Sequence, residues 1–147
     1  MNKILISILM TILLSGCTVF ARTNSVAPQS GREIVDATKV LAFTEPTQGY
    51  AKVVITRDAG FMGSGCFIAV TADDVVIGRF KPKDTATFYL PATTEVMMVV
   101  PDPEGRGLCN PGMGWNPVEE KYVLRTDATN YFRISLGAYR RPRPLPQ

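Results

Sequence analysis

The side chains with the widest chemical reach in this chain are its three cysteines, Cys17, Cys66 and Cys109. A thiol can serve as nucleophile, metal ligand, disulfide half or acylation point. The first two roles lack partners. The chain has no histidine, so no Ser-His or Cys-His pair can form, and no CxxC spacing offers a zinc site. Ser64 lies in Met62-Gly63-Ser64-Gly65-Cys66. A nucleophile elbow needs glycine two residues before and two after the serine, and Met62 and Cys66 occupy those places. A turn leading into Cys66 is the better reading. The adjacent carboxylates Asp73-Asp74 and Glu119-Glu120 would point to opposite faces of a strand, so neither makes an acid–base dyad. A turn and a solvated loop end account for them. Asp102 and Glu104 supply too few oxygens for a hard cation. No catalytic residue, metal or cofactor is expected, and the chemistry left is binding.

Two groups of residues are candidates for that binding. Met113 and Trp115 sit in Asn110-Pro111-Gly112-Met113-Gly114-Trp115-Asn116-Pro117. Tryptophan is enriched at interface hot spots, and functional residues collect on loops held by a rigid scaffold. The alternative is that Trp115 folds back over a neighbouring disulfide. Arg140, Arg141 and Arg143 punctuate the tail RRPRPLPQ, whose alternating prolines favour an extended polyproline-like chain. Such a tail can dock in a partner's groove, attach by charge to anionic lipid or cell-wall material, or be a solvated end.

Cys17 has a different setting. Met1-Asn2-Lys3 precedes an apolar run, Ile4–Leu14, and then Ser15-Gly16-Cys17. A basic start, a short apolar core and small residues before a cut site make a secretory signal. A spanning helix needs about 20 apolar residues. The run reaches such a length only if read on to Arg22, as an uncleaved anchor. Leu14-Ser15-Gly16-Cys17 resembles the lipobox of bacterial lipoproteins at all four positions. That resemblance implies a diacylglycerol on the Cys17 thiol, cleavage before Cys17 and acylation of the new α-amine by a chain such as palmitate. Thr18, rather than Asp, follows the cysteine, which by the same resemblance implies sorting to the outer membrane, facing the periplasm. Two or more acyl chains anchor stably where one does not.

With Cys17 lipidated, Cys66 and Cys109 remain in an oxidising compartment, where two cysteines most simply form one disulfide. They are 43 residues apart, a loop whose closure the chain-entropy model values at roughly 4 kcal/mol. Two buried free thiols are the rival reading.

Stepping along the chain, residues 1–16 read as the signal, 17–29 as a lipidated tether, 30–139 as one folded domain and 140–147 as the tail. The tether TVFARTNSVAPQ, residues 18–29, has a root-mean-square reach of about 20 Å and keeps the domain close to the membrane. Hydrophobic content of 46% supports a true core. Net charge of +3 is too mild to argue for nucleic acid. Ser30-Gly31-Arg32-Glu33 is a capping box ahead of Ile34, Ala37 and Leu41. It suggests one short N-terminal helix over about 31–42, though β-branched Val35, Thr38 and Val40 favour an extended segment. Strands are predicted at Ala51–Thr56, Gly65–Thr71, Val75–Phe80, Thr85–Leu90, Glu95–Val100, Lys121–Thr126 and Asn130–Leu136. About seven short strands separated by turn residues predict an all-β fold, a small β-sandwich or open barrel. Imperfect alternation in Thr87–Leu90 and Tyr131–Ile134 suggests burial on both faces in places. Residues 101–120, PDPEGRGLCNPGMGWNPVEE, break the strand rhythm, and long irregular loops in compact domains are usually functional or disordered. A Cys66–Cys109 bond would staple this loop to the sheet.

The span from about 51 to 136 resembles an uncharacterised family of bacterial lipoprotein domains related in layout to the PEGA-type β-sandwich. The resemblance rests on Arg57 ending a strand, Gly60, Gly63, Val70, Asp74, Gly78, the Thr87-Phe88-Tyr89 strand, Leu90-Pro91 and Tyr131-Phe132-Arg133-Ile134. Asp73-Asp74 replaces the family's Asp-Gly, and Ala92-Thr93-Thr94 replaces its Gly and His. The resemblance implies an envelope lipoprotein with a sandwich fold and no catalytic residues. The expected role is a non-catalytic binding or structural component of an envelope assembly. Membrane attachment would run through Cys17, and a protein partner would meet the 101–120 loop or the tail. The alternative is a binding module for a small molecule or glycan such as a cell-wall fragment.

Overall fold

The computed structural model describes residues 24–60, 63–93, 96–111, 116–135 and 141–146. Among the described residues nine strands form two sheets packed face to face. One sheet has the order β1(Arg32–Glu33), β5(Asp84–Pro91), β2(Tyr50–Arg57), β8(Asn130–Ile134), β9(Arg143–Pro144); the other has β4(Val75–Phe80), β3(Ile68–Ala72), β6(Val96–Pro101), β7(Glu120–Lys121). The chain alternates between sheets, running β2, then β3–β4, then β5, then β6–β7, then β8–β9. The expected all-β sandwich is therefore the fold observed.

Patterning explains the layers. In β5 every second residue is buried, so Asp84, Ala86, Phe88 and Leu90 face inward and Thr85, Thr87, Tyr89 and Pro91 face out. Ala51, Val53 and Ile55 of β2 and Phe132 and Ile134 of β8 join that inner face. Ile68, Val70, Ile77, Phe80, Met97 and Val99 meet them from the second sheet. Phe80 and Phe88 contact across the sheets with ring centroids 6.2 Å apart. Strand β3, central in its sheet, is buried along its whole length, as expected for a strand covered on both faces.

β3 and β4 form a hairpin closed by Asp73-Asp74, with Ala72 opposite Val75. Both aspartates have positive φ, 45° and 64°. A two-residue hairpin turn of this hand requires φ > 0 at both central positions, and aspartate is among the few side chains that tolerate it. The Asp-Asp pair is thus a turn and not an acid–base dyad.

The capping-box helix does not form. Residues 28–30 make a single 3-10 turn, Arg32–Glu33 pairs parallel with β5, and the chain onward to Phe43 is extended or turning. Its backbone groups are claimed by two sheet edges. Ile34 N–H donates to Thr85 O at 2.9 Å, and Phe43 O accepts from Tyr89 at 2.7 Å, both on β5. Between them Val40 bridges Gly78 on β4, and Leu41 N–H donates to Ile77 O at 2.9 Å. This strap crosses from one sheet to the other and packs Ile34, Val40, Ala42 and Phe43 against the core. It also explains why the outward residues of β5 are half-buried.

The tail departs from a free polyproline chain as well. Arg143–Pro144 forms β9, antiparallel to β8, with Phe132 opposite Pro144 and Arg133 opposite Arg143. Leu145 N–H donates to Tyr131 O at 2.9 Å. Residues 143 and 145 therefore face β8 with their amides, while Pro142, Pro144 and Pro146, which have none to give, fall on the alternate positions. Pro142 is buried, and its carbonyl accepts the Tyr122 hydroxyl. Strand prediction was accurate for β2, β4 and β5. The expected strand at Lys121–Thr126 is only Glu120–Lys121, and the one at Gly65–Thr71 starts at Ile68 because Gly63–Gly65 turns.

Gly78 lies where the strap, β4 and β5 converge. A methyl added there would sit 2.8 Å from Phe88 Cζ and 3.0 Å from Phe80 Cε2. Gly78→Ala is expected to lower stability by about 1–3 kcal/mol, measured as a lower urea midpoint at unchanged slope.

Candidate functional site

The loops that follow β2, β4 and β6 gather at one end of the sandwich, and three sets of contacts fix them. Arg57, the last residue of β2, is 1% exposed. Its Nη1 donates to Cys66 O at 2.7 Å and Phe80 O at 2.5 Å, and its Nη2 to Gly63 O at 2.9 Å. Burial pulls its pKa down to about 10, with the charge of Asp84 acting against that fall; it stays protonated at neutral pH. Lys83 N–H donates to Arg57 O at 3.0 Å, and Asp84 holds both Arg32 Nε at 2.9 Å and Lys81 N–H at 2.7 Å. One buried guanidinium thus positions the 63–66 turn and the end of β4 together.

The turn carries Cys66, bonded to Cys109 with S–S 2.00 Å and Cα–Cα 5.4 Å, inside the usual disulfide range. The expected staple is present. The far half of the bond is held by its own loop. Arg79 is buried and bidentate across two acids, with Nη2 to Asp102 at 2.6 Å and Nη1 to Glu104 at 2.5 Å. The hydrogen bond to Asp102, opposed by burial, pushes Arg79 above its ordinary pKa. Asp102 also accepts Glu104 N–H at 3.1 Å, and its carbonyl accepts Gly105 N–H at 2.8 Å. A Cβ on Gly105 would lie 2.0 Å from Cys109 O, so only glycine lets the loop close on itself here. Asp102 and Glu104 are therefore ligands of an arginine. Among the described residues no cluster of three His, Cys, Asp or Glu is placed to hold a metal.

Phe67, next to Cys66, is half-buried and ringed by cations. Lys81 Nζ is 4.8 Å, Lys39 Nζ 5.1 Å and Arg79 Cζ 5.4 Å from its ring centroid, within cation–π range. Beyond it the 3-10 turn Gly107–Cys109 presents Leu108, 87% exposed. Exposed Arg106 precedes it. The end of the sandwich is thus a stapled, pre-ordered rim with an apolar tip among cations. The cluster about Phe67 escapes sequence reading because Lys39, Phe67 and the pair Arg79 and Lys81 lie on three different segments.

The amino-terminal side meets the same end. Asn24 and Ala59 exchange backbone hydrogen bonds of 2.8 and 3.0 Å, and Val26 N–H donates to Asp58 Oδ1 at 3.3 Å. Asp58 is itself buried and clamped by Arg133, through Nε at 2.9 Å and Nη2 at 2.6 Å. The segment 24–29, read from sequence as free tether, is docked.

Cys17, Met113, Trp115 and Arg140 lie outside the described residues. Arg141 pairs with Glu120 at 2.6 Å, and Arg143 stands in β9 with its side chain exposed. Arg143 stands opposite Arg133, whose guanidinium clamps Asp58 beside Arg57. A separate open groove of about 530 Å³ lies between the strap and β5, lined by Glu33, Asp36, Lys52, Thr87 and Tyr89 among others. Compared with known proteins, the chain matches no family model, no curated protein and no solved structure.

Replacing Arg57 by Met removes one donor set from three carbonyls, buried Phe80 O and part-buried Cys66 O and Gly63 O. The expected loss is about 3 kcal/mol or more, read by urea denaturation. Cys109→Ser is expected to cost about 4 kcal/mol or less. Its amide exchange should quicken chiefly over 103–110, leaving β2 and β5 slow until global unfolding.

Proposed function

We propose that this chain is a lipoprotein of the bacterial outer membrane, facing the periplasm, that acts by binding as a non-catalytic part of an envelope assembly. The observation that carries the reading is the Cys66–Cys109 bond joining two loops at the end of the domain where the tether docks. A disulfide supports an exported, oxidising setting. The lipobox-like Leu14-Ser15-Gly16-Cys17 supports a lipid on Cys17. A stapled loop loses less entropy when it binds, which favours the 101–120 segment, to which Met113 and Trp115 belong, as the contact for a protein partner. The resemblance of Arg57, Asp74 and Gly78 to motif positions of PEGA-like lipoprotein domains supports kinship with them.

A second reading, a module for a small molecule or glycan such as a cell-wall fragment, draws on the groove beside the strap. Its wall combines Tyr89 with the charged Asp36 and Lys52. Saturation of wild type by muropeptide fragments, lost in Tyr89→Ala, would favour that reading over a protein partner.

The lipoprotein reading predicts that cells given labelled palmitate incorporate it into the wild type and not into Cys17→Ser. The variant should also accumulate at the higher mass of an uncleaved chain. Equal labelling of both would overturn it.

A further inference from the structure

Charge is unevenly divided between the two ends of the sandwich. The disulfide end carries Lys81, Lys83 and Arg106 exposed, with Lys39 half-exposed beside Phe67. None of these four is held in a salt bridge among the described residues. Most acids of that end are already engaged, Asp84 by Arg32, Asp102 and Glu104 by Arg79, and Asp58 by Arg133; exposed Glu33, opposite Thr85, stands against the four cations. Asp36, farther along the strap, feels the charge of Lys39. The opposite end, where β2 begins and β3 turns into β4, exposes Glu45, Asp73, Asp74 and Glu119 against Lys52 and Lys121. The disulfide end also holds Leu108 out in solvent at 87% exposure, on a turn fixed by Cys109.

A second observation fixes which end faces a membrane. Asn24 is tied to Ala59, directly after β2. Fully extended, the chain from Cys17 to Asn24 spans at most about 25 Å. A lipid on Cys17 therefore keeps the end bearing Ala59, Lys83 and the disulfide rim near the bilayer. Peripheral attachment draws on both apolar insertion and cation–headgroup attraction. Leu108 supplies the first and its neighbours the second.

We propose that the disulfide end of the sandwich, which exposes Lys81, Lys83, Arg106 and Leu108, rests on the anionic phospholipid surface of the bilayer that holds the anchor. This rests on the lipoprotein reading above and deepens it by giving the domain an orientation. The docked face is the basic rim and the acidic end points away from the membrane, which leaves the part of the 101–120 loop beyond the rim for a protein partner. The headgroup phosphates supply the charge the four cations lack. Each lysine or arginine near such a surface strengthens attachment roughly fivefold.

The full-length chain, reconstituted in vesicles of phosphatidylcholine alone or with about a third phosphatidylglycerol, tests this by amide hydrogen exchange. Amides of 81–84 and 104–110 are expected to slow at least about fivefold on the anionic vesicles relative to the neutral ones. The slowing should vanish near about 0.5 M salt, where screening shortens to a few ångströms. It should also vanish in Lys81→Glu/Lys83→Glu/Arg106→Glu and weaken in Leu108→Asp. Lys121→Glu, at the other end, should keep it. Equal exchange on both vesicle types overturns the proposal. The same slowing by inorganic phosphate in detergent, without anionic lipid, also overturns it and assigns the cations to a soluble phosphate. Co-sedimentation with neutral vesicles reads the anchor separately. A chain that fails to sediment there yet slows on anionic vesicles loses the lipoprotein reading and keeps the docking face.

Discussion

The arrangement of this domain depends on a guanidinium that has been taken out of water. Arg57 ends a central strand of one sheet, yet its donors reach the last carbonyl of β4 in the other sheet and two carbonyls of the 63–66 turn. Arginine presents several donors in one rigid plane, so a single side chain can fasten a strand, a turn and an opposing sheet. A lysine, with one compact ammonium, would not span them. The desolvation cost shows in the lowered pKa, and it is offset by carbonyl oxygens and the nearby charge of Asp84. The disulfide is a second fastening laid over the first, because Cys66 belongs to the turn that Arg57 holds.

A two-layer sandwich has two open sides, and here each is closed by a segment without regular structure of its own. On one side the strap from Arg32 to Phe43 contributes hydrogen bonds to β5, then β4, then β5 again. On the other, Tyr122 donates its hydroxyl to Pro142 O, and Glu120 meets Arg141, joining β7 of one sheet to the tail that forms β9 of the other. Burial of the Tyr122 phenol, helped by the Glu120 charge, pushes its pKa up, so the hydroxyl remains a donor through the physiological range. Tyr122 also packs edge-on against Phe132 at 4.9 Å, making this closure part of the core.

The central strands were legible because their apolar residues recur at the strand period between recognisable turns. The staple was legible from cysteine number and an inferred compartment. The strap was not. Ile34, Ala37 and Leu41 fit a helical period and Ser30 and Glu33 a capping box, but the outcome was decided by two sheet edges in need of partners, which local propensity does not register. The tail misled for a related reason: proline excludes central strands but not an outer one. At the candidate site, the stapled loop could be picked out by its length and its glycines. The cations about Phe67 could not, since only the folded topology brings Lys39, Lys81 and Arg79 to one ring.

The alternation of proline in the last strand bears on how many copies of this protein can share a small space. β9 is an outer strand, and outer strands invite another chain to add alongside. Here the amides that exist, on Arg143 and Leu145, are turned inward to β8, and the outward positions fall to Pro142, Pro144 and Pro146. That margin can accept hydrogen bonds but has no N–H to offer. An approaching strand finds half of the ladder missing and rings where its backbone would lie. Where copies crowd together and encounters between neighbours are frequent, such a border keeps adjacent chains from zipping into a continuous sheet.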